Sequence, residues 1–181
     1  MGYALGISRK MRRYRDELFE GVGDLVPRDH HELLKALCSH LTMCTGREVR
    51  LMFESFPADT VSGLWVDLGD FDLIVVEANT APLHQIVIAG HELWHHKEGH
   101  CGHCANPAGV AAAARMLGDR WSVSDAIAYV AARGGIGLDE ERRAETFGRL
   151  LAAKFLPYME GDRGQPSADG VVGRIQASLK G

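Results

Sequence analysis

The run FDLIVVEANTAPLHQIVIAGHELWHHKEG, residues 71–99, decides the fold that this sequence predicts. Its first part, FDLIVVEA, is rich in Val and Ile and is typical of a β-strand. The pattern then becomes helical: Thr80 is a candidate N-cap, Pro82 suits the first turn, and Gly99 suits the helix end. The sequence therefore predicts a strand that leads directly into a long helix.

Two further strand-like segments precede this run, and helical patterns lie on both sides. Gly69 and Asp70 are a turn signal between the second and third strands, which predicts a hairpin. The strands are EVRLMFE (48–54), SGLWVDL (62–68) and FDLIVVEA (71–78). The strongest other helical segments are SRKMRRYRDELFEG (8–21), PRDHHELLKALCSHLTMCTG (27–46) and LDEERRAETFGRLLAAKFLP (138–157). This order predicts an α+β fold, with a small, mostly antiparallel sheet packed on the helix that follows it.

The length and the composition indicate one soluble domain. We expect 181 residues to form a single domain over residues 1–157, with an N-terminal helical arm (1–28) and a loosely held tail (158–181). A formal net charge of −4 argues against direct nucleic-acid binding. The chain shows neither a signal peptide nor a membrane-length apolar run, so we expect a cytoplasmic protein with reduced cysteines.

His91, Glu92 and His95 form an HExxH motif on the predicted helix. Residues four apart lie on the same helical face, so both histidines can bind one zinc ion. Glu92 is rotated by about 100° from His91, which places it beside the metal rather than in its ligand set. From there it can take a proton from a zinc-bound water, so the motif predicts a zinc hydrolase of zincin-like fold.

A catalytic zinc needs a third protein ligand, and the 138–157 helix offers candidates. Glu141 shares a face with Ala144, Gly148 and Leu151, and small residues there would allow close approach to the HExxH helix. Burying a carboxylate on such an inward stripe costs free energy of folding unless the carboxylate contacts a cation. Glu145, one turn further on, is the alternative ligand, whereas Glu140 points away.

The remaining histidines and cysteines carry weaker signals. Cys101 and Cys104 form one CxxC, which supplies two of the four ligands of a structural zinc and is equally compatible with a redox-active pair or plain loop residues. His84 precedes His91 by seven residues on the same helical face. It could line the cleft, but it is predicted to lie in a layer behind the site with its polar atoms satisfied. Cys38 and Cys44 are interpreted as small apolar residues of their helix.

The HExxH motif after a hairpin, followed by the pattern ExxAxxFxxLL, resembles the ImmA/IrrE family of metallo-endopeptidases. The second pattern begins at Glu141, and the resemblance spans roughly residues 30–157. It implies His91, His95 and Glu141 as zinc ligands and Glu92 as catalytic base. The chain departs from the family in a longer segment between His95 and Glu141, which contains HKEGHCGHC.

The resemblance also implies a role and a partner. Members of this family commonly act on a helix-turn-helix repressor encoded nearby, and some are toxin components of toxin–antitoxin pairs. We therefore expect a Zn²⁺-dependent regulatory endopeptidase that cleaves a repressor or antitoxin-like protein. The alternatives are a metal-stabilised binding module that docks its partner without cutting it, and a toxin component.

Overall fold

The computed structural model describes residues 7–23, 27, 29–56, 61–67, 70–99 and 137–161. These residues form four helices and three strands. In chain order they are α1 (Arg9–Val22), α2 (His30–Thr45), β1 (Glu48–Glu54), β2 (Gly63–Asp67), β3 (Phe71–Glu77), α3 (Pro82–Glu98) and α4 (Leu138–Gly161). This content confirms the predicted α+β class.

The three strands form one sheet in the order β1-β3-β2. The predicted hairpin is confirmed, because β2 and β3 pair antiparallel with Trp65 opposite Ile74. The sheet is nevertheless mixed rather than mostly antiparallel, since β1 runs parallel to β3. The most apolar strand takes the central position, and Asp72 to Val76 of β3 are all buried.

Helix α3, which carries the HExxH motif, packs against β2 and β3 on one side and α4 on the other. Ile86, Ile88 and Leu93 of this helix are almost fully buried. The helix ends as predicted, with Gly99 in the left-handed conformation at φ 67°. Its start differs: Ala81 rather than Thr80 is the N-cap, and it makes no side-chain capping hydrogen bond.

Helix α1 contributes one face to the core. Ser8 caps the helix as its sequence suggests, accepting a hydrogen bond from the backbone N–H of Met11. One face of α1 is buried against α2 and α4, with Tyr14 and Leu18 at 2% and 0% exposure. The charged residues lie on the remaining surface, and their abundance in the sequence obscures the apolar stripe.

Helix α4 continues beyond Pro157, where the sequence predicted its end, to Gly161. A proline removes one backbone donor from a helix, but the helix continues past Pro157. Met159, two residues further on, packs against the core. Residues 162–181 of the predicted tail lie outside the described residues. Among the described helices, none combines the length and the apolar character that crossing a membrane requires.

Candidate metal centre

His91 and His95 lie one turn apart on α3 with their imidazoles together. The two Nε2 atoms are 3.0 Å apart, as the i, i+4 spacing predicts. His95 is buried, with 4% of its side chain exposed, whereas His91 retains 24%. The pair therefore sits at the boundary between the core and the surface.

Helix α4 brings Glu141 to both histidines. Its carboxylate oxygens lie 3.3 Å from Nε2 of His91 and 3.5 Å from Nε2 of His95. Glu145 instead accepts a hydrogen bond from Arg149 and is half exposed. Of the two candidates for a third ligand, the structure thus groups Glu141 with the histidines.

The inward stripe that singled out Glu141 in the sequence is present in the structure. Ala144 and Leu151 are fully buried. At Gly148 the backbones of α3 and α4 touch, because an added Cβ there would overlap the carbonyl oxygen of Val87. Gly90 faces this contact, and its added Cβ would lie 2.8 Å from the Cα of Gly148. Two glycines therefore set the separation of the helices that carry the three side chains.

The three side chains have the donor types and the spacing that a zinc ion requires. Their ligand atoms all lie within 4.8 Å of one another. Zinc–donor bonds of about 2.0–2.1 Å in tetrahedral geometry put neighbouring donors about 3.3 Å apart. The separations of 3.0, 3.3 and 3.5 Å are close to that value. Glu141 is 41% exposed, so the group opens to the surface on its side and leaves room for a fourth ligand.

Glu92 lies beside this group without belonging to it. It is 6% exposed and packs against β2, where a Cβ added to Gly63 would come within 2.9 Å of its carboxylate. A glycine in the strand thus makes the space in which the carboxylate lies. Glu92 is therefore a buried acid, held between the sheet and the helix that carries both histidines.

The negative charge of the site acts on His91. Burial alone lowers the pKa of His91, but a hydrogen bond with Glu141 and nearby carboxylates, including Glu92, together raise it above its ordinary value. The nearby carboxylates therefore give the site a negative potential, and a metal that binds His91 has to displace a proton from it.

A buried polar cluster that sequence reasoning missed joins the sheet to α3. Asp72 of β3 is 3% exposed. It accepts a hydrogen bond of 3.1 Å from the indole N–H of Trp65 and lies 3.3 Å from Nε2 of His96. Arg47 approaches the same carboxylate at 3.4 Å. The available signal was an aspartate within an otherwise apolar strand, which needs partners when buried.

Among the described residues, no other histidine or cysteine joins the candidate centre. His84 is exposed, so its predicted position behind the site is wrong. Cys101 and Cys104 lie outside the described residues. Cys38 is buried as expected, but Cys44 is exposed, so its interpretation as an apolar packing residue is wrong.

Comparisons with protein-family models, with curated protein sequences and with solved structures find no match for this chain. Inferences about the chemistry of the site therefore rest on its residues and their geometry.

Proposed function

We propose that this chain is a zinc-dependent regulatory endopeptidase of the ImmA/IrrE type. The observation that carries the proposal is the convergence of His91, His95 and Glu141 beside the buried carboxylate of Glu92. Two histidines and a glutamate are a ligand set of catalytic rather than structural zinc, because they leave a coordination position open. An acid beside the ligands has no use in a purely structural site, whereas hydrolysis requires a base.

The residues have distinct roles in the proposed reaction. His91, His95 and Glu141 would hold zinc, which when bound polarises a carbonyl group and lowers the pKa of water. Glu92 accepts a proton from the attacking water and passes it to the amine of the leaving peptide. Its packing against Gly63 restricts the directions in which its carboxylate can turn, which favours reaction at one place.

The sheet offers a way to hold an extended substrate. Strand β2 pairs with β3 on one side and is an edge strand within the described sheet. A peptide that adds to such an edge is bound by backbone hydrogen bonds. Because Gly63 of β2 lies against Glu92, a peptide held there would pass close to the base.

The substrate that this proposal favours is a protein in the same compartment. We propose a cytoplasmic helix-turn-helix repressor or antitoxin-like protein, encoded by a neighbouring gene, as the partner. Direct nucleic-acid binding is not part of the proposal, since the chain carries a net charge of −4. Cleavage is tested with the Glu92→Gln variant in cells that contain the neighbouring repressor gene.

Zinc binding should depend on Glu141 and not on Glu145. We expect the purified chain to hold about one zinc ion at this centre, and Glu141→Gln to weaken that binding by more than the roughly 10–100-fold that loss of an outer-shell partner costs. Glutamine keeps an oxygen at the same place but loses the negative charge. The affinity is measured by competition with a chromophoric chelator.

Glu145→Gln is the matched control, because it makes the same change one turn further along α4. The double variant His91→Ala, His95→Ala should bind no zinc at the centre. If Glu145→Gln weakens zinc binding while Glu141→Gln does not, the assignment of the third ligand is wrong.

A further inference from the structure

On the surface of α2, the imidazole of His40 lies against the thiol of Cys44. Both residues are distant in sequence from the HExxH motif. Sγ of Cys44 is 3.4 Å from Nε2 of His40. The two residues are four apart, so the helix places them on one face in the same way as His91 and His95. They form a pair of metal-ligating groups that the proposed peptidase reaction does not use.

Packing does not account for a cysteine at this place. Cys38, on the same helix, is buried, and burial raises the pKa of its thiol to about 12, so it behaves as a small core residue. Cys44 is exposed to solvent, where cysteine is uncommon because it contributes no buried surface and is open to oxidation. Its contact with an imidazole is the feature that distinguishes it.

The ring of His40 is set in place by α1. A Cβ added to Gly21 would overlap that ring, so the absence of a side chain at position 21 provides the space that the ring occupies. His40 also lines a groove of about 600 Å³ between α1 and α2, together with Arg13, Asp16, Glu17 and Glu20. The position of the imidazole is therefore determined by packing between two helices.

The electrostatics of this region favour a cation. Cys44 is in the last turn of α2, where the helix dipole is negative and no basic residue is present. The groove beside His40 is lined by Arg13 and three carboxylates, of which Asp16 is paired with Arg15 and Glu17 lies near Lys97. A bound cation would therefore gain mainly from the helix end.

We propose that His40 and Cys44 form a second metal site, which binds a borderline or soft divalent cation such as Zn²⁺. Thiolate and imidazole are the ligands that this class of cation prefers. A tetrahedral zinc with bonds of about 2.3 Å to sulfur and 2.0–2.1 Å to nitrogen separates these two atoms by about 3.5 Å, close to the distance observed. Binding releases the thiol proton to solvent and forms the metal–sulfur bond, and water or a partner's side chain completes the coordination.

The test is a titration of the full-length, metal-free chain with Co²⁺, followed by the near-ultraviolet thiolate-to-cobalt absorption band. Two histidines and a glutamate give no such band, so failure of the HExxH centre would not affect the result. We expect Cys44→Ser and His40→Ala each to lose the same component of the band and about one bound ion per chain. Cys38→Ala and His31→Ala, on the same helix, should keep both.

The outcomes separate a metal site from a simple thiol–imidazole contact. Cys101 and Cys104 are present in every variant, so the difference between wild type and Cys44→Ser isolates one thiol. An unchanged band in Cys44→Ser overturns the proposal. A band that is lost in Cys44→Ser but kept in His40→Ala also overturns it, because the metal would then not be bound by the pair.

Discussion

Glu92→Gln is expected to lower the rate of partner cleavage by about 10²–10⁴-fold, the usual contribution of a general base. Glutamine has nearly the size and shape of glutamate, so it can occupy the space beside Gly63. It cannot accept a proton from water. Because Glu92 lies outside the group of three metal-ligating side chains, the variant should keep its zinc, its fold and its affinity for the partner.

The measurement is made in cells that contain the chain, its neighbouring repressor and a reporter gene under that repressor. Wild type should give repressor fragments on a gel together with reporter output, and Glu92→Gln should give neither. Glu145→Gln, the same change on the exposed face of α4, is the matched control and should behave as wild type. Normal reporter output without fragments in Glu92→Gln would show a docking module that acts without proteolysis.

Gly148→Ala is expected to lower the free energy of unfolding by about 1–3 kcal/mol, the usual cost of overpacking. A decrease in the free energy of unfolding would be informative, because replacing glycine by alanine in a helix interior ordinarily stabilises the helix by roughly 0.8–1 kcal/mol. Here the added Cβ would overlap the backbone of α3 at Val87, which cannot rotate away as a side chain could. The helices must separate, and zinc binding should weaken as Glu141 moves from the histidines.

Chemical denaturation of the chain in the presence of a chelator measures this effect without a contribution from metal. Gly137→Ala is the matched control, because the nearest atom to its added Cβ is 3.8 Å away, on the side chain of Glu140. Because Gly137 occupies the N-cap position of α4, alanine there should cost only the roughly 0.5–1 kcal/mol of a poorer cap and should leave zinc binding unchanged. A stabilised Gly148→Ala variant would contradict the close backbone contact between α3 and α4.

The sequence predicted those parts of the structure that local spacing determines. The i, i+4 spacing of His91 and His95 brings their imidazoles together in any α-helix. The two-residue turn specified the hairpin between β2 and β3. The small residue at position 148 predicted the close approach of α4 and favoured Glu141, with Glu145 left as the alternative.

Long-range contacts explain most of what was missed. The parallel pairing of β1 with β3 depends on which strand takes the buried central place, and each strand's own pattern leaves this open. The polar cluster around Asp72 of β3 joins Trp65 of β2, Arg47 just before β1, and His96 of α3. The exposure of Cys44 depends on which face of α2 meets the core, a choice that the spacing of its leucines alone did not settle.

The backbone contact between Gly90 and Gly148 also bears on how this chain can change in evolution. A Cβ at position 90 would meet the Cα of Gly148, and a Cβ at position 148 would meet the backbone of α3 at Val87. A larger residue at one glycine is therefore not relieved by any change of side chain at the other. Both positions restrict which sequences can keep His91, His95 and Glu141 together.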